Sequence, residues 1–226
     1  MERTDVLQNL SDIHAEIAAA ASRSGRDPAL ITIVAAAKTV PIEAIRWVVG
    51  EGVTAVGENY VAELRAKAPA LPEVRWHFIG TLQRSTAHHV ADLANVVETV
   101  SAEGALRRLA GRAARAGRTL DVLIEVDFTA ERFGVRPEEL AAAASLVASL
   151  EGVRLTGLMT LPPVPKTPED ARPYFRRLRD LRDELKRSNP EVLELSMGMS
   201  LDYPIAVEEG ATMVRIGTAL FGPRTT

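Results

Sequence analysis

The sequence contains no cysteine, which excludes disulfides, thiolate nucleophiles and cysteine-ligated metal while leaving the compartment undecided. There is no excess of charge of either sign. With 27 Lys and Arg against 30 Asp and Glu, the formal net charge of −3 gives no electrostatic case for nucleic acid or anionic membrane as the main partner. No apolar run approaches the length of a bilayer span, and residues 1–5 carry charges of both signs rather than the basic start of a signal peptide. These absences point to a cytoplasmic protein. A Gly-rich dinucleotide fingerprint is missing after the first strand signal, and no low-complexity tract or linker divides the chain. His88 and His89 have no partner at ligand spacing, and adjacent helix positions are expected to point them apart, so no metal site is expected.

What is present is an ordinary globular composition, 46% hydrophobic and 25% charged over 226 residues, enough for a full core. Residues 1–226 are expected to form a single domain, since α/β barrels reach this length as one unit. Residues 4–21 place Val6, Leu10, Ile13 and Ile17 at helical spacing, which predicts an opening amphipathic helix. Residues 31–41 (ITIVAAAKTVP) then read as a strand buried on both faces. Further strand signals lie at 53–56, 74–79, 96–100, 121–126, 153–158, 192–195 and 213–216, making eight in all. Helical patterns separate them at 42–50, 58–67, 84–93, 102–116, 137–150, 169–187 and 202–209. Thr167 is the expected N-cap of the sixth of these, with Pro168 in its first turn. Strict alternation with short connections predicts parallel pairing and a single closed (β/α)8 barrel of the TIM type with an extra N-terminal helix, an open doubly wound sheet being the alternative.

In such a barrel the strand exits face one mouth. Lys38 stands at the first exit, where an apolar strand would not ordinarily end in an ammonium group; its plain alternative is a solvated strand end. At the last exit, Arg215, Ile216, Gly217 and Thr218 (RIGT) combine a glycine that permits close backbone approach with a hydroxyl and the start of a short helix. The seventh exit, residues 196–200 (SMGMS), adds Gly198 and the hydroxyls of Ser196 and Ser200 beside it. Backbone N–H groups at a helix start bind phosphate, and the loops after strands seven and eight are the usual phosphate site of these barrels. A lysine facing a phosphate site suggests a phosphorylated carbonyl compound held as an imine. Pyridoxal phosphate as a cofactor and a sugar phosphate in a Schiff-base aldolase both fit.

The runs AAAKTVPIEAI, VGENYVAEL, WHFIGTLQ, GLMT and LSMGMSLDYPIAVEEGATMVRIGTALFG resemble, in order and spacing, the pyridoxal phosphate homeostasis protein family, similar in turn to the N-terminal barrel of alanine racemase. The resemblance spans residues 33–222. It implies pyridoxal 5'-phosphate as the cofactor, Lys38 as the imine lysine, Arg215 opposite the pyridine nitrogen, and Ser200, Gly217 and Thr218 around the phosphate. Asn59 and His77 would line the pocket; His77 has an equally plain reading as a satisfied core histidine. The sequence departs from the family at the rim: Arg84, Ser85 and Thr86 follow Gln83 where the family carries a lysine, and Asp127 and Arg132 stand where asparagine and lysine are frequent.

An arginine offers only donors, so opposite a pyridine nitrogen it leaves the ring a poor electron sink. Alanine racemase also draws an opposing tyrosine from an added domain and its partner subunit. With the sequence ending at Thr226 no such domain is expected, and Tyr60, Tyr174 and Tyr203 each have a packing or surface reading. The expectation is a carrier or buffer of the cofactor that serves pyridoxal-phosphate-dependent apo-enzymes, not a catalyst. A low-activity racemase and an aldolase are the alternatives. Glu58 reads as an acid at a helix's first turn, and the arginines of 172–187 as a solvated, salt-bridged face.

Overall fold

The computed structural model describes residues 1–130 and 133–223; Arg132 lies outside them. Eight parallel strands close in chain order into a barrel: β1 (Thr32–Ala36), β2 (Ala55–Glu58), β3 (Arg75–Phe78), β4 (Val96–Val100), β5 (Leu120–Val126), β6 (Val153–Thr160), β7 (Glu194–Ser196) and β8 (Met213–Ile216). The ring is sealed by β1 against β8, with Val34 beside Arg215. The open sheet is thereby set aside. Between the strands run α2 (Ile42–Gly50), α3 (Val61–Lys67), α4 (Ala87–Leu93), α5 (Glu103–Arg115), α6 (Leu140–Ala148), α7 (Arg172–Lys186) and α8 (Tyr203–Glu208), and α9 (Thr218–Phe221) follows β8.

The extra helix, α1 (Arg3–Arg23), buries Val6, Leu10, Ile13, Ile17, Ala20 and Ala21 along one stripe, as its spacing predicts. It packs against α2, α8 and α9, and Asn9 Nδ2 donates to the Leu220 carbonyl at 3.0 Å, tying α1 to the segment after β8. Thr167 and Asp170 form a reciprocal capping box, as the sequence suggests, but the first turn they cap is a 3₁₀ turn (Pro168–Ala171) that leads into α7.

Successive strand residues alternate between the helix-facing core and the barrel interior. Val34, Ala55 and Met213 form one small cluster apart from the main core, and Val96, Leu123 and Met159 form another. These are inward positions. Two residues on, at the same parity, inward positions turn polar: Glu98, Glu125 and Arg215, with His77 and Ser196 from the strands between, are all buried. A barrel interior is ordinarily filled with branched aliphatic side chains. Here an apolar plug underlies a charged layer, and the mouth opens above it.

Candidate functional site

Two residues beyond β1, at the inward parity of Val34 and Ala36, stands Lys38. Its Nζ lies 4.8 Å from the centroid of the Tyr60 ring, and among the described residues it makes no hydrogen bond or ion pair. Lys38 borders a cavity of about 350 Å³ whose other walls include Ala36, Pro41, Gly217, Thr218 and Phe221. That volume falls within the range of about 300–1,000 Å³ typical of small-molecule sites. A Cβ at position 217 would make only ordinary contacts, the nearest at 3.5 Å, so protein packing alone does not demand glycine on this wall. Lys38, Gly217 and Thr218 are thus brought together, as the sequence suggests.

Ser200 adjoins the same wall, its Oγ accepting from the Ala219 N–H in the first turn of α9 at 3.1 Å. The turn carrying it is fixed by Asp202, whose Oδ1 accepts from the Met199 N–H at 2.7 Å. Burial pushes the Asp202 carboxyl up, against the Met199 N–H and the charge of Arg215. The side of Gly198 where a Cβ would stand is packed against α8. At φ +90° its Cβ would lie 2.5 Å from the Ala206 Cβ, so it serves chain packing.

Ser196, Arg215 and His77 belong to the buried layer below. Arg215 Nη1 donates to Ser196 Oγ at 2.5 Å and Nη2 to the Thr160 carbonyl at 2.9 Å. Ser196 Oγ donates in turn to Glu98 at 2.6 Å, and the other Glu98 oxygen lies 2.6 Å from His77 Nδ1. This chain, Arg215 to Ser196 to Glu98 to His77, crosses the barrel interior. Burial alone would raise the Glu98 carboxyl, but the hydrogen bond and charge of His77, Arg215 and the Ser196 hydroxyl together hold it below the usual carboxylate range. Burial pulls the Arg215 guanidinium down, opposed by Glu98, Glu125 and Asp202. With Nδ1 committed to Glu98, His77 keeps a buried Nε2 that has no partner among the described residues. An orphaned buried nitrogen of this kind marks a place where a water or ligand atom completes the site.

Asn59 follows β2 at the mouth, half-buried, its backbone pressed by Gly80. Its neighbour Glu58 is not at a helix start. It is the last residue of β2, fully buried, with Oε1 2.5 Å from Lys67 Nζ on α3. Gly57 and Glu58 end the strand, the chain bends at Asn59, and the helix begins only at Val61. Burial pushes the Glu58 carboxyl up, opposed by Lys67 and the Asn59 N–H. The His88 and His89 rings do not diverge either: their centroids lie 3.9 Å apart, with the planes tilted by 38°. Among the described residues no cluster of His, Asp and Glu could hold a metal ion, and no helix is long and apolar enough to cross a membrane.

Glu98 and Lys67 were not singled out by the sequence. A carboxylate in the middle of VVETV and a lysine at a buried helix position are the signals that could have found them.

A family model described as alanine racemase, N-terminal domain, matches residues 8–225. The pyridoxal phosphate homeostasis protein of Aquifex aeolicus is 41% identical over 96% of this chain and 97% of its own. A crystal structure of an unknown protein from Bifidobacterium adolescentis superposes with a TM-score of 0.90 at 29% identity, covering 97% of this chain and 95% of that one. PipY of Synechococcus elongatus, solved with PLP bound, gives a TM-score of 0.81 at 33% identity over 91% of this chain and all 100% of its own.

Proposed function

Because the chain belongs to the alanine racemase N-terminal domain family, and within it to the pyridoxal phosphate homeostasis proteins, we propose that it binds pyridoxal 5'-phosphate at the Lys38 cavity and serves cytoplasmic cofactor homeostasis as a carrier or buffer for apo-enzymes. The observation that carries this reading is the pairing of an uncommitted lysine amine with Gly217 and Thr218 on the walls of one cavity. When bound, the cofactor supplies an aldehyde that condenses with a primary amine and an aromatic ring that withdraws electrons from the attached group. Lys38 is the anchoring amine. Thr218, Ser200 and the backbone at the start of α9 are donors for the phosphate, and Ser200 already occupies one of those N–H groups. Asn59 lines the approach, and His77 Nε2 offers a hydrogen-bonding nitrogen from below.

Arg215 argues against turnover. It presents only N–H donors, and its guanidinium is held by Ser196 and Thr160 with Glu98 balancing its charge. A group facing it can accept a hydrogen bond but gains no proton, which disfavours carbanion chemistry. Two of the three tyrosines are committed elsewhere: the Tyr203 hydroxyl donates to Glu16, and Tyr174 packs 6.0 Å from Phe128. Tyr60 alone stands beside Lys38. A slow racemase that uses it is the second reading.

Visible absorption of the purified protein and of Lys38→Ala, before and after borohydride, tests the first reading. The expected result is a Lys38-dependent band that borohydride bleaches, with the reduced adduct on the Lys38 peptide by mass spectrometry. No band after addition of pyridoxal phosphate would sink it. Racemisation of alanine that is lost in both Lys38→Ala and Tyr60→Phe would replace the carrier by the racemase.

A further inference from the structure

Lys38 is flanked by two peptide groups, and each is held by one member of a cluster of three charged side chains, Lys67, Glu63 and Glu58. On its N-terminal side, the Ala37 carbonyl accepts from Lys67 Nζ at 2.8 Å; on its C-terminal side, the Thr39 N–H donates to Glu63 Oε2 at 2.8 Å. Lys67 Nζ also donates to that same Glu63 oxygen at 2.7 Å and to Glu58 Oε1 at 2.5 Å. All three donors of the ammonium are thus used, which is what a lysine only 8% exposed requires. The remaining Glu58 oxygen accepts from the Asn59 N–H at 3.1 Å. The cluster therefore grips the backbone at the exit of β1, which lines the cavity, and at the neighbouring exit of β2.

Thr39 supplies an independent observation. Its φ of +62° lies in the left-handed region, which a β-branched residue avoids. Such a conformation persists only where its surroundings over-determine it: the Val40 N–H closes the turn onto the Ala37 carbonyl at 2.9 Å, the Thr39 hydroxyl donates to the Lys38 carbonyl at 2.7 Å, and Glu63 is the side chain from outside the turn that holds the Thr39 N–H. Were Thr39 to relax to negative φ, the peptide after Lys38 would swing and the inward direction of the lysine would be lost. A lysine has four rotatable side-chain bonds, so a fixed backbone is what limits the volume its amine explores.

We propose that Glu63, through Lys67 and the strained Thr39 peptide, is a positioning residue that aims Lys38 into the cavity, with Glu58 extending the same hold to Asn59. This rests on the assignment of Lys38 as the cofactor's anchor and goes beyond it by naming what orients that anchor. Charge is needed at 63: one carboxylate oxygen serves both Lys67 and the Thr39 N–H, and a carboxamide oxygen would serve each more weakly.

The test compares wild type, Glu63→Gln, and Glu63→Gln combined with Thr39→Gly, which removes the strain that Glu63 opposes. Two readouts are taken: the rate at which pyridoxal phosphate with borohydride labels Lys38, with the exposed Lys166 and Lys186 as internal standards, and deuterium exchange at the Thr39 amide without cofactor. Labelling of Lys38 in Glu63→Gln is expected to slow by about tenfold, equivalent to about 1.4 kcal/mol, while Lys166 and Lys186 keep their rates. The Thr39 amide is expected to exchange faster, and the glycine variant to recover labelling to within about threefold of wild type, a residual of about 0.6 kcal/mol. Unchanged Lys38 labelling in Glu63→Gln, or no recovery with glycine at 39, would overturn the proposal. If wild-type Lys38 takes no label at all, the anchor assignment fails and the positioning role with it, whereas faster exchange in Glu63→Gln would still separate a clamp on the backbone from no clamp.

Discussion

Gly80, at the exit of β3, lies so close to Asn59, at the exit of β2, that a Cβ at position 80 would stand 1.9 Å from the Asn59 carbonyl oxygen. Any side chain at 80 must push the β2 exit away. Gly80→Ala is therefore expected to destabilise the fold by about 1–3 kcal/mol, the usual range for overpacking. At about 2–4 °C per kcal/mol for a chain of this size, thermal unfolding reads it directly. Because the displaced backbone carries Asn59, cofactor titration of the same variant is expected to weaken too.

Gly198→Ala makes a different error. The new methyl meets Ala206 and forces an alanine to adopt φ +90°, so strain and overpacking add. Loss of about 2–4 kcal/mol is expected, measured by denaturant midpoint. Ser200 and the start of α9 shift with the loop, so phosphate-bearing ligands should lose more affinity than pyridoxal itself in isothermal titration.

Glu98→Gln keeps the shape of the buried chain but removes its negative charge. Arg215 then sits beside a neutral partner, a change of the kind that costs about 3–5 kcal/mol when a buried pair is broken. The pH dependence has a definite sign. The folded-state pKa of Glu98 is depressed, so its contribution is present above the unfolded carboxylate pKa and is lost as pH falls through the folded value. The stability gap between wild type and Glu98→Gln should therefore be full near neutrality and shrink below about pH 4, the unfolded carboxylate range. Urea titrations at stepped pH would show it, and a gap that stayed constant would refute the assignment.

Arg172 joins Glu169, Glu208 and Glu209 at 2.6, 2.7 and 2.9 Å, linking α7 to α8. Its hydrogen bond is the leading cause holding the Glu208 carboxyl below its usual range. Arg172→Met is expected to cost about 1 kcal/mol after allowance for solvent screening, again fading as the acids protonate. Raised salt should reduce the loss, as monitored by melting temperature.

The barrel was legible because its signals are local: apolar strand runs alternating with helix-period stripes, separated by short turns. Lys38, Gly217 and Thr218 were legible because strand exits converge in this fold. Glu58 was misread because an acid before an apolar helical run has a local explanation, the helix dipole, while its true partner Lys67 is nine residues on and appears only once α3 folds back on β2. Glu98 was missed for a similar reason: its partners His77, Ser196 and Arg215 come from three other strands. The divergence expected of His88 and His89 failed because backbone offset alone does not fix side-chain torsions. The arginine face of α7 carries the ion pairs expected, but several run to Glu209, just after α8, rather than along its own surface.

The cavity wall has one further property. Met1 and Pro223 border it together with Lys38, so residues separated by nearly the whole described chain must meet before the cavity exists. In folding terms it is built from contacts of the highest order available to this chain, whose loops are the longest to close. Without that closure the cavity lacks the walls that Gly217, Thr218 and Phe221 supply. Ligand binding therefore stabilises only the finished ring, by mass action, and slows its unfolding without speeding its assembly.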